Sequence, residues 1–223
     1  MEHTFLDIEG TDGCGKKTQI QNLHDYFKSR GKNVLIVSFP SYESPSSGPV
    51  KMYLGGEFGD KADCLDAYQA SSLYAVDRLC TMKKIMKSLT EPTVILFDRY
   101  TQSNMIHQAG KIHDDTMRDK FLEWVDDFEF NILHLPRPDK TIFLDVPPHI
   151  SYEILKKRTA QKSGRTKDIH ENDATHLEHA HAAAKYVAKK FSWTIIDCLS
   201  QDSTFDTIDM IFKKLLKELE EFI

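Results

Sequence analysis

No apolar run in this 223-residue chain approaches the roughly 18 residues that a membrane-spanning helix requires. The four cysteines, Cys14, Cys64, Cys80 and Cys198, show no C-x-x-C spacing. That argues against a disulfide scaffold and a cysteine-held zinc, and for reduced thiols. Positive charge is not in excess, because Lys and Arg number 29 against 34 Asp and Glu, a net charge of −5. A broad basic surface for nucleic acid is therefore not expected. The start of the chain carries no signal-peptide pattern, so a cytoplasmic location is expected. There is no internal repeat and no low-complexity tract, and the length fits a single α/β domain spanning 1–223. The guanine signature N-K-x-D is missing. The D-x-x-G matches, Asp7–Gly10 and Asp12–Gly15, overlap the glycine-rich stretch described next, which weakens any GTPase reading.

What is present starts at Glu9-Gly10-Thr11-Asp12-Gly13-Cys14-Gly15-Lys16-Lys17-Thr18. It follows the apolar Phe5-Leu6-Asp7-Ile8 and opens a segment with Ile20, Leu23 and Phe27 at helical spacing. A strand, a glycine loop and a helix in this order make a phosphate-binding P-loop. Gly10, Gly13 and Gly15 let successive backbone N–H groups point at phosphate oxygens, and the helix adds its positive dipole end. Lys16 supplies a full charge for the β- and γ-phosphates, so a nucleoside triphosphate is the expected ligand. Lys17 stands where the pattern has Ser or Thr, and Thr18 comes one residue late. Either Thr18, water or a carboxylate serves magnesium, or the site binds nucleotide without turning it over. A thiol near a helix N-terminus, as at Cys14, can have a lowered pKa, although a small residue that fits the loop explains it equally simply.

Five apolar runs, Thr4–Ile8, Asn33–Phe39, Thr93–Phe97, Thr141–Val146 and Trp193–Cys198, alternate with segments of helical spacing. They predict a three-layer α/β/α fold of the P-loop NTPase kind with a five-stranded parallel sheet. A long helix is expected over about 63–89, another over 116–128. A last one should carry Phe205, Ile208, Phe212, Leu215, Leu219 and Phe222 on one face. Four runs finish on or beside Glu9, Asp98, Asp145 and Asp197. Ligands of open parallel sheets sit at such carboxyl ends, which places Glu9 and Asp98 near the phosphates if their strands are neighbours.

Asp98-Arg99-Tyr100 closes one run: the carboxylate suits magnesium or its water, and the guanidinium a second phosphate. Tyr74 and Arg78, four apart, share a helix face suited to stacking on a base and bonding its carbonyl. The polar segment from Lys162 to Asp168, carrying Arg165, reads as a lid over about 159–171 that closes on the triphosphate. His170, His176, His179 and His181 read as a solvated helix rather than a metal site.

Together these pieces resemble thymidylate kinase. The resemblance runs across nearly the whole chain, through Ile8-Glu9-Gly10-Thr11-Asp12-Gly13, Phe39-Pro40, Tyr74-Ala75-Val76-Asp77-Arg78, Asp98-Arg99-Tyr100 with Ser103-Asn104, and Leu144-Asp145-Val146-Pro147-Pro148. It implies ATP and dTMP as substrates, Mg2+ as cofactor and a homodimer packed through long helices. It implies that Gly10 to Thr18 hold the triphosphate and that Arg158 packs on adenine. Asp12 would contact the deoxyribose 3′-hydroxyl. Phe39 and Tyr42 would line the acceptor pocket, Tyr74 stack on thymine and Arg78 read its carbonyl. Arg99 would bind the acceptor phosphate, with Ser103, Asn104, His107 and Gln108 around the sugar and base. Asp12, Lys16, Arg99 and Arg165 become the catalytic set, with Asp98 and Glu171 at the metal. Ser41 replaces a common arginine after Phe-Pro, and His107 replaces a common Tyr or Phe. The alternatives are a kinase for another nucleoside monophosphate, or a nucleotide-binding regulator with an inactive P-loop.

Overall fold

The computed structural model describes residues 2–59, 61, 63–161, 174–200, 202 and 204–223, and the side chains of 157–161 and 174–176 fall outside that description. The described strands are β1 (Thr4–Glu9), β2 (Asn33–Ser38), β3 (Thr93–Asp98), β4 (Lys140–Asp145) and β5 (Thr194–Asp197). They form one sheet in the order β2-β3-β1-β4-β5, with every pairing parallel. The helices are α1 (Lys16–Ser29), α2 (Gly48–Leu54), α3 (Ala67–Ser88), α4 (Thr101–Ala109), α5 (Asp115–Asp126), α6 (Pro148–Gln161), α7 (Ala174–Lys190) and α8 (Ile208–Glu218).

The five apolar runs are the five strands, with ends shifted by a residue or so. β1 and β3 run on to Glu9 and Asp98 because the backbone ladder continues through tip residues whose side chains break the apolar pattern. Successive strand residues face opposite sides. Leu6, Ile8, Val94, Leu96, Ile142 and Leu144 pack against Ile20, Leu23 and Phe27 of α1 and Ile211 and Leu215 of α8. Ile95 and Phe97 pack on the other side with Met82 of α3, Phe121, Leu122 and Val125 of α5 and Val187 of α7. Both faces are covered, which is why the strands read as continuous apolar stretches.

Three expectations need correction. The helix expected from residue 63 starts at Ala67, because Asp66 caps it: its carboxylate accepts the Gln69 N–H at 2.8 Å while Gln69 Oε1 accepts the Asp66 N–H at 3.1 Å. Within that helix Ala75 and Met82 are buried, whereas Met86 is 36% and Tyr68 37% exposed, Tyr68 packing on Phe121 and Trp124. The second helix ends at Asp126 and passes into a π-helical turn, Asp127–Ile132, that its apolar spacing did not foretell. The last helix begins only at Ile208, with Thr207 capping Met210 N–H, and leaves Phe205 outside in an isolated bridge to Leu199.

Asp7 is an exception to the apolar sheet. It is fully buried in β1, between Phe97 and Thr141 of the neighbouring strands, and neither carboxyl oxygen has a hydrogen-bond partner among the described residues. Burial, reinforced by Glu9, pushes its pKa well above the ordinary 3.8. The folded state therefore holds a proton that the unfolded state has released, and stability falls as pH rises above about 3.8 toward the raised folded value. Asp7→Val removes both the orphan oxygens and this dependence. It should stabilise the chain by about 1–3 kcal/mol at pH 8 and by clearly less at pH 4.5. Thermal unfolding at the two pH values measures this, and an equal gain at both would contradict the assignment.

Candidate active site

The order β2-β3-β1-β4-β5 makes β1 the strand from which the chain turns both ways, so the crevice beyond its carboxyl end is the natural ligand position. Residues 10–15 form the loop there. Gly13 and Gly15 have φ of 87° and 84°, a left-handed region open to glycine at little cost. A Cβ at Gly13 would stand 2.6 Å from the Ser151 carbonyl oxygen of α6, and one at Gly10 would stand 2.5 Å from Cys14 Sγ. Gly15 is the N-cap of α1 and offers no side-chain cap, and the first turn has no acidic residue. With no cap side chain and no acidic residue in its first turn, the positive end of α1 is a ready anion site.

Lys16 is 7% exposed; its Nζ donates to Gly10 O at 3.1 Å and lies 3.9 Å from Asp98 Oδ1. Thr11 Oγ1 is buried without a hydrogen-bond partner among the described residues, Lys17 is exposed, and Thr18 is half-buried with its N–H donated to Gly15 O. Cys14 is buried, and burial pushes its thiol pKa up despite nearby Lys16. The lowered pKa that a helix N-terminus could give is not realised, and the thiol acts as a small filler beneath Gly10.

β1 and β3 are hydrogen-bonded neighbours, with Ile8 opposite Asp98. That brings the P-loop beside Arg99, which has φ of 68°, strained for a side-chain-bearing residue. Arg99 Nη2 pairs with Asp12 Oδ1, and Nη1 donates to His107 Nε2 at 2.8 Å. Because a guanidinium only donates, this bond makes Nε2 of His107 the acceptor and puts that ring's proton on Nδ1. Burial works against the Arg99 charge, but Asp12, then Glu9 and Asp98, outweigh it and raise its pKa.

Glu9, at the tip of β1, is engaged by protein neighbours. It is fully buried; Oε1 accepts the Tyr100 N–H at 3.1 Å, and both oxygens accept from Ser103 Oγ at 2.8 Å. The tip of β1 thereby anchors the start of α4 and engages Ser103. Asp145, at the tip of β4, is likewise occupied by His181 Nε2 at 2.6 Å and Lys185 Nζ at 3.1 Å. His181 is therefore not a solvated residue, whereas His179 is exposed against His113.

Beside this crevice, α3 and α4 face each other. Tyr74 is half-buried and meets Tyr53 edge-on at 6.4 Å. Arg78, only 2% exposed, is held by both oxygens of Glu129 at 2.6 Å and donates to Tyr100 O at 3.4 Å. Asn104 and Gln108 lie one turn apart on α4, 3% and 2% exposed. Gln108 Oε1 and Ser71 Oγ of α3 have no hydrogen-bond partner among the described residues, buried polar groups of the kind a ligand satisfies. Phe39 is buried against Phe97 and Tyr100, Tyr42 is half exposed, and the Ser41 N–H and Ser46 hydroxyl both donate to buried Asp77 at 2.7 and 2.6 Å. The Arg158 side chain, Arg165 and Glu171 lie outside the described residues. Glu129 was not foreseen, and Asp77, though part of the Tyr74–Arg78 motif, had no expected role; the one signal for Glu129 was a carboxylate set between Phe128 and Phe130.

A model of the thymidylate kinase family matches residues 8–204. The chain belongs to the thymidylate kinase family. It is 33% identical over 171 residues to a thymidylate kinase of Mycobacterium tuberculosis, covering 76% of this chain and 78% of that one. It is 31% identical over 160 residues to a probable thymidylate kinase of Pyrococcus horikoshii, covering 71% and 72%. A solved thymidylate kinase from Candida albicans superposes with a TM-score of 0.68 over 98% of this chain and 92% of that one, at 21% identity, a likeness of fold.

The loop's geometry separates two substitutions. Gly15→Ala meets no atom within 4 Å and should cost about 1–2 kcal/mol of stability for its positive φ alone. Gly13→Ala adds a backbone collision with α6 and should cost at least about 1 kcal/mol more. Urea unfolding of both variants gives the comparison, and equal losses would contradict the packing described.

Proposed function

We propose that this thymidylate kinase family member transfers the γ-phosphoryl group of ATP to dTMP, giving ADP and dTDP. The observation that carries the reading is the Asp12–Arg99 pair. It ties the triphosphate loop to a guanidinium on the next strand, so two phosphates bound to the two elements are brought face to face.

In this reading the amides of residues 10–18 and Lys16 hold the donor, and Arg158 packs against adenine. Arg99 holds the acceptor phosphate. Asp12 contacts the deoxyribose 3′-hydroxyl, with Ser103 and His107 near the sugar. Tyr74 stacks on the base, Phe39 and Tyr42 close the pocket, and Arg78, Asn104 and Gln108 read the base edge. An acceptor phosphate oxygen forms its bond to Pγ as the bond from Pγ to the bridging oxygen of ADP breaks. Little covalent work falls to the protein, so positioning and charge stabilisation dominate. Lys16 and Arg99, with Arg165 from a lid over 159–171, spread the negative charge, and the lid excludes water.

The residues suit Mg2+. Asp98 sits at the strand tip and among the described residues has only Lys16, at 3.9 Å, as an ion-pair partner, whereas Glu9 is engaged by Tyr100 and Ser103. No cluster of three potential ligands exists among the described residues, which fits an ion held largely by substrate phosphates and water. Asp98, with Glu171, would hold its hydration shell; when bound it neutralises charge on the β- and γ-oxygens. The reading also takes the chain as one domain that works in the cytoplasm as a homodimer packed through α3, where Val76 and Met86 are 47% and 36% exposed. No described helix is long and apolar enough to cross a membrane.

ADP release with ATP and a panel of acceptors tests the reaction. Release should require an acceptor and be fastest with dTMP; turnover of UMP equal to that of dTMP would contradict the assignment, and tight ATP binding without dTMP-dependent release would favour a regulator. Arg99→Ala should raise the KM for dTMP by at least about tenfold. Arg165→Ala should lower kcat about 100-fold or more while dTMP affinity stays within about twofold. The opposite split for Arg165 would make it a binding residue.

A further inference from the structure

Glu129 lies in the π-helical turn Asp127–Ile132 that continues α5. A π-turn inserts an extra residue and swings the following side chains off the stripe an α-helix would give them. Phe128 stacks on Trp124 at 5.0 Å, and Phe130 lies under the Arg137 guanidinium at 4.3 Å. Between them Glu129 is fully buried. Its carboxylate receives Arg78 Nε and Nη2 at 2.6 Å, Thr101 Oγ1 at 2.8 Å and Asn104 Nδ2 at 2.9 Å. One group thus fixes side chains from both α3 and α4.

The chemistry of that group has a consequence for its partners. A carboxylate only accepts hydrogen bonds, so Asn104 must turn its NH2 toward Glu129. The same NH2 donates to Ser71 O at 3.3 Å. The amide oxygen of Asn104 is left as an acceptor, and no hydrogen bond from a described residue engages it. Arg78 carries five N–H donors, of which three are engaged, leaving one on each of Nη1 and Nη2. The buried and unpartnered Gln108 Oε1 and Ser71 Oγ lie on the same two helices.

We propose that Glu129 sets the hydrogen-bond polarity of the acceptor pocket. By fixing Asn104 as an acceptor beside the donors of Arg78, it selects a base that presents a carbonyl next to a ring N–H. This is the keto-imide edge of thymine or uracil. A 4-amino pyrimidine presents an amino group next to a bare ring nitrogen, the reverse pattern, and meets donor against donor and acceptor against acceptor. The inference rests on the reading that the α3–α4 cleft seats the acceptor base. Glu129 itself touches no substrate and is a positioning residue, acting through Asn104 and Arg78.

The test is kcat and KM for dTMP and dCMP at saturating ATP, in the full-length chain and in Glu129→Gln, Glu129→Asp and Asn104→Ala. A glutamine can donate, which lets the Asn104 amide turn over. Glu129→Gln should therefore lower the dTMP:dCMP ratio of kcat/KM by at least about tenfold, mostly through KM for dTMP, with KM for ATP within about twofold. In the double variant with Asn104→Ala the same change should move the ratio by clearly less than it does with Asn104 present, because one of the two residues through which Glu129 acts is gone. Equal losses for both acceptors, leaving the ratio intact, would overturn the proposal and make Glu129 a purely structural anchor. If Glu129→Gln does not fold, Glu129→Asp keeps the charge but draws the carboxylate back: a fallen ratio supports the proposal, an intact one overturns it. Wild-type chain that releases no ADP in response to dTMP sinks the underlying acceptor reading instead, and this inference with it.

Discussion

Adjacency of β1 and β3 is the constraint on which the rest depends. Their parallel pairing, with Ile8 opposite Asp98, puts the phosphate loop and the Asp98-Arg99 tip within reach of each other. Lys16 then stands near Asp98, and Asp12 pairs with Arg99. Two strand tips in register thus make a strip of alternating charge. The carboxylate of each tip faces the cation of the other, Asp98 toward Lys16 and Asp12 toward Arg99. Arg99 accepts a strained backbone to lie there, and strain of that kind persists only where surrounding contacts over-determine it. Here those contacts are Asp12, His107 and the Glu9 clasp on the start of α4.

A second layer of buried polar bonds supports the first. Glu9 fixes α4 to β1, Asp77 fixes the loop after β2 to α3, and Glu129 fixes α3 and α4 together. Burying an ion pair such as Arg78–Glu129, with side-chain exposures of 2% and 1%, is tolerable because the geometry is bidentate and the remaining acceptor capacity is filled by Thr101 and Asn104. Removing one partner of such a pair leaves an uncompensated charge and costs about 3–5 kcal/mol. The side chains between α3 and α4 are thereby held in place, and in the proposed reading little ordering is left to occur on binding.

Much of this was legible in the sequence, for identifiable reasons. The five strands were, because a sheet covered on both faces leaves an unbroken apolar run in each. The phosphate loop was, because its glycines answer to backbone geometry that no other residue meets as easily, as Gly13 against Ser151 illustrates. Strand ends drifted by a residue because Glu9 and Asp98 stay in the ladder while breaking the pattern. Glu129 escaped notice because a π-turn shifts the facing of one residue, and a carboxylate between Phe128 and Phe130 does not by itself show which way it faces. Glu9 was legible as a strand-tip carboxylate, but its anchoring bonds to Tyr100 and Ser103 were not, because they depend on how α4 packs on β1. Phe205 was counted into a helix because an apolar residue three before Ile208 fits the spacing, yet Thr207 caps the helix after it.

The central claim is that donor and acceptor phosphates meet across the Asp12–Arg99 bridge. A crystal structure of the chain with a bisubstrate compound, adenosine and thymidine joined through a chain of phosphates, tests it most directly. The account predicts adenosine-side phosphates among the amides of residues 10–18 and Lys16, with the thymidine-side phosphate within hydrogen-bonding distance of Arg99 and the thymine between α3 and α4. A thymidine moiety lodged elsewhere, with Arg99 still closed on Asp12 and no phosphate beside it, would contradict the account.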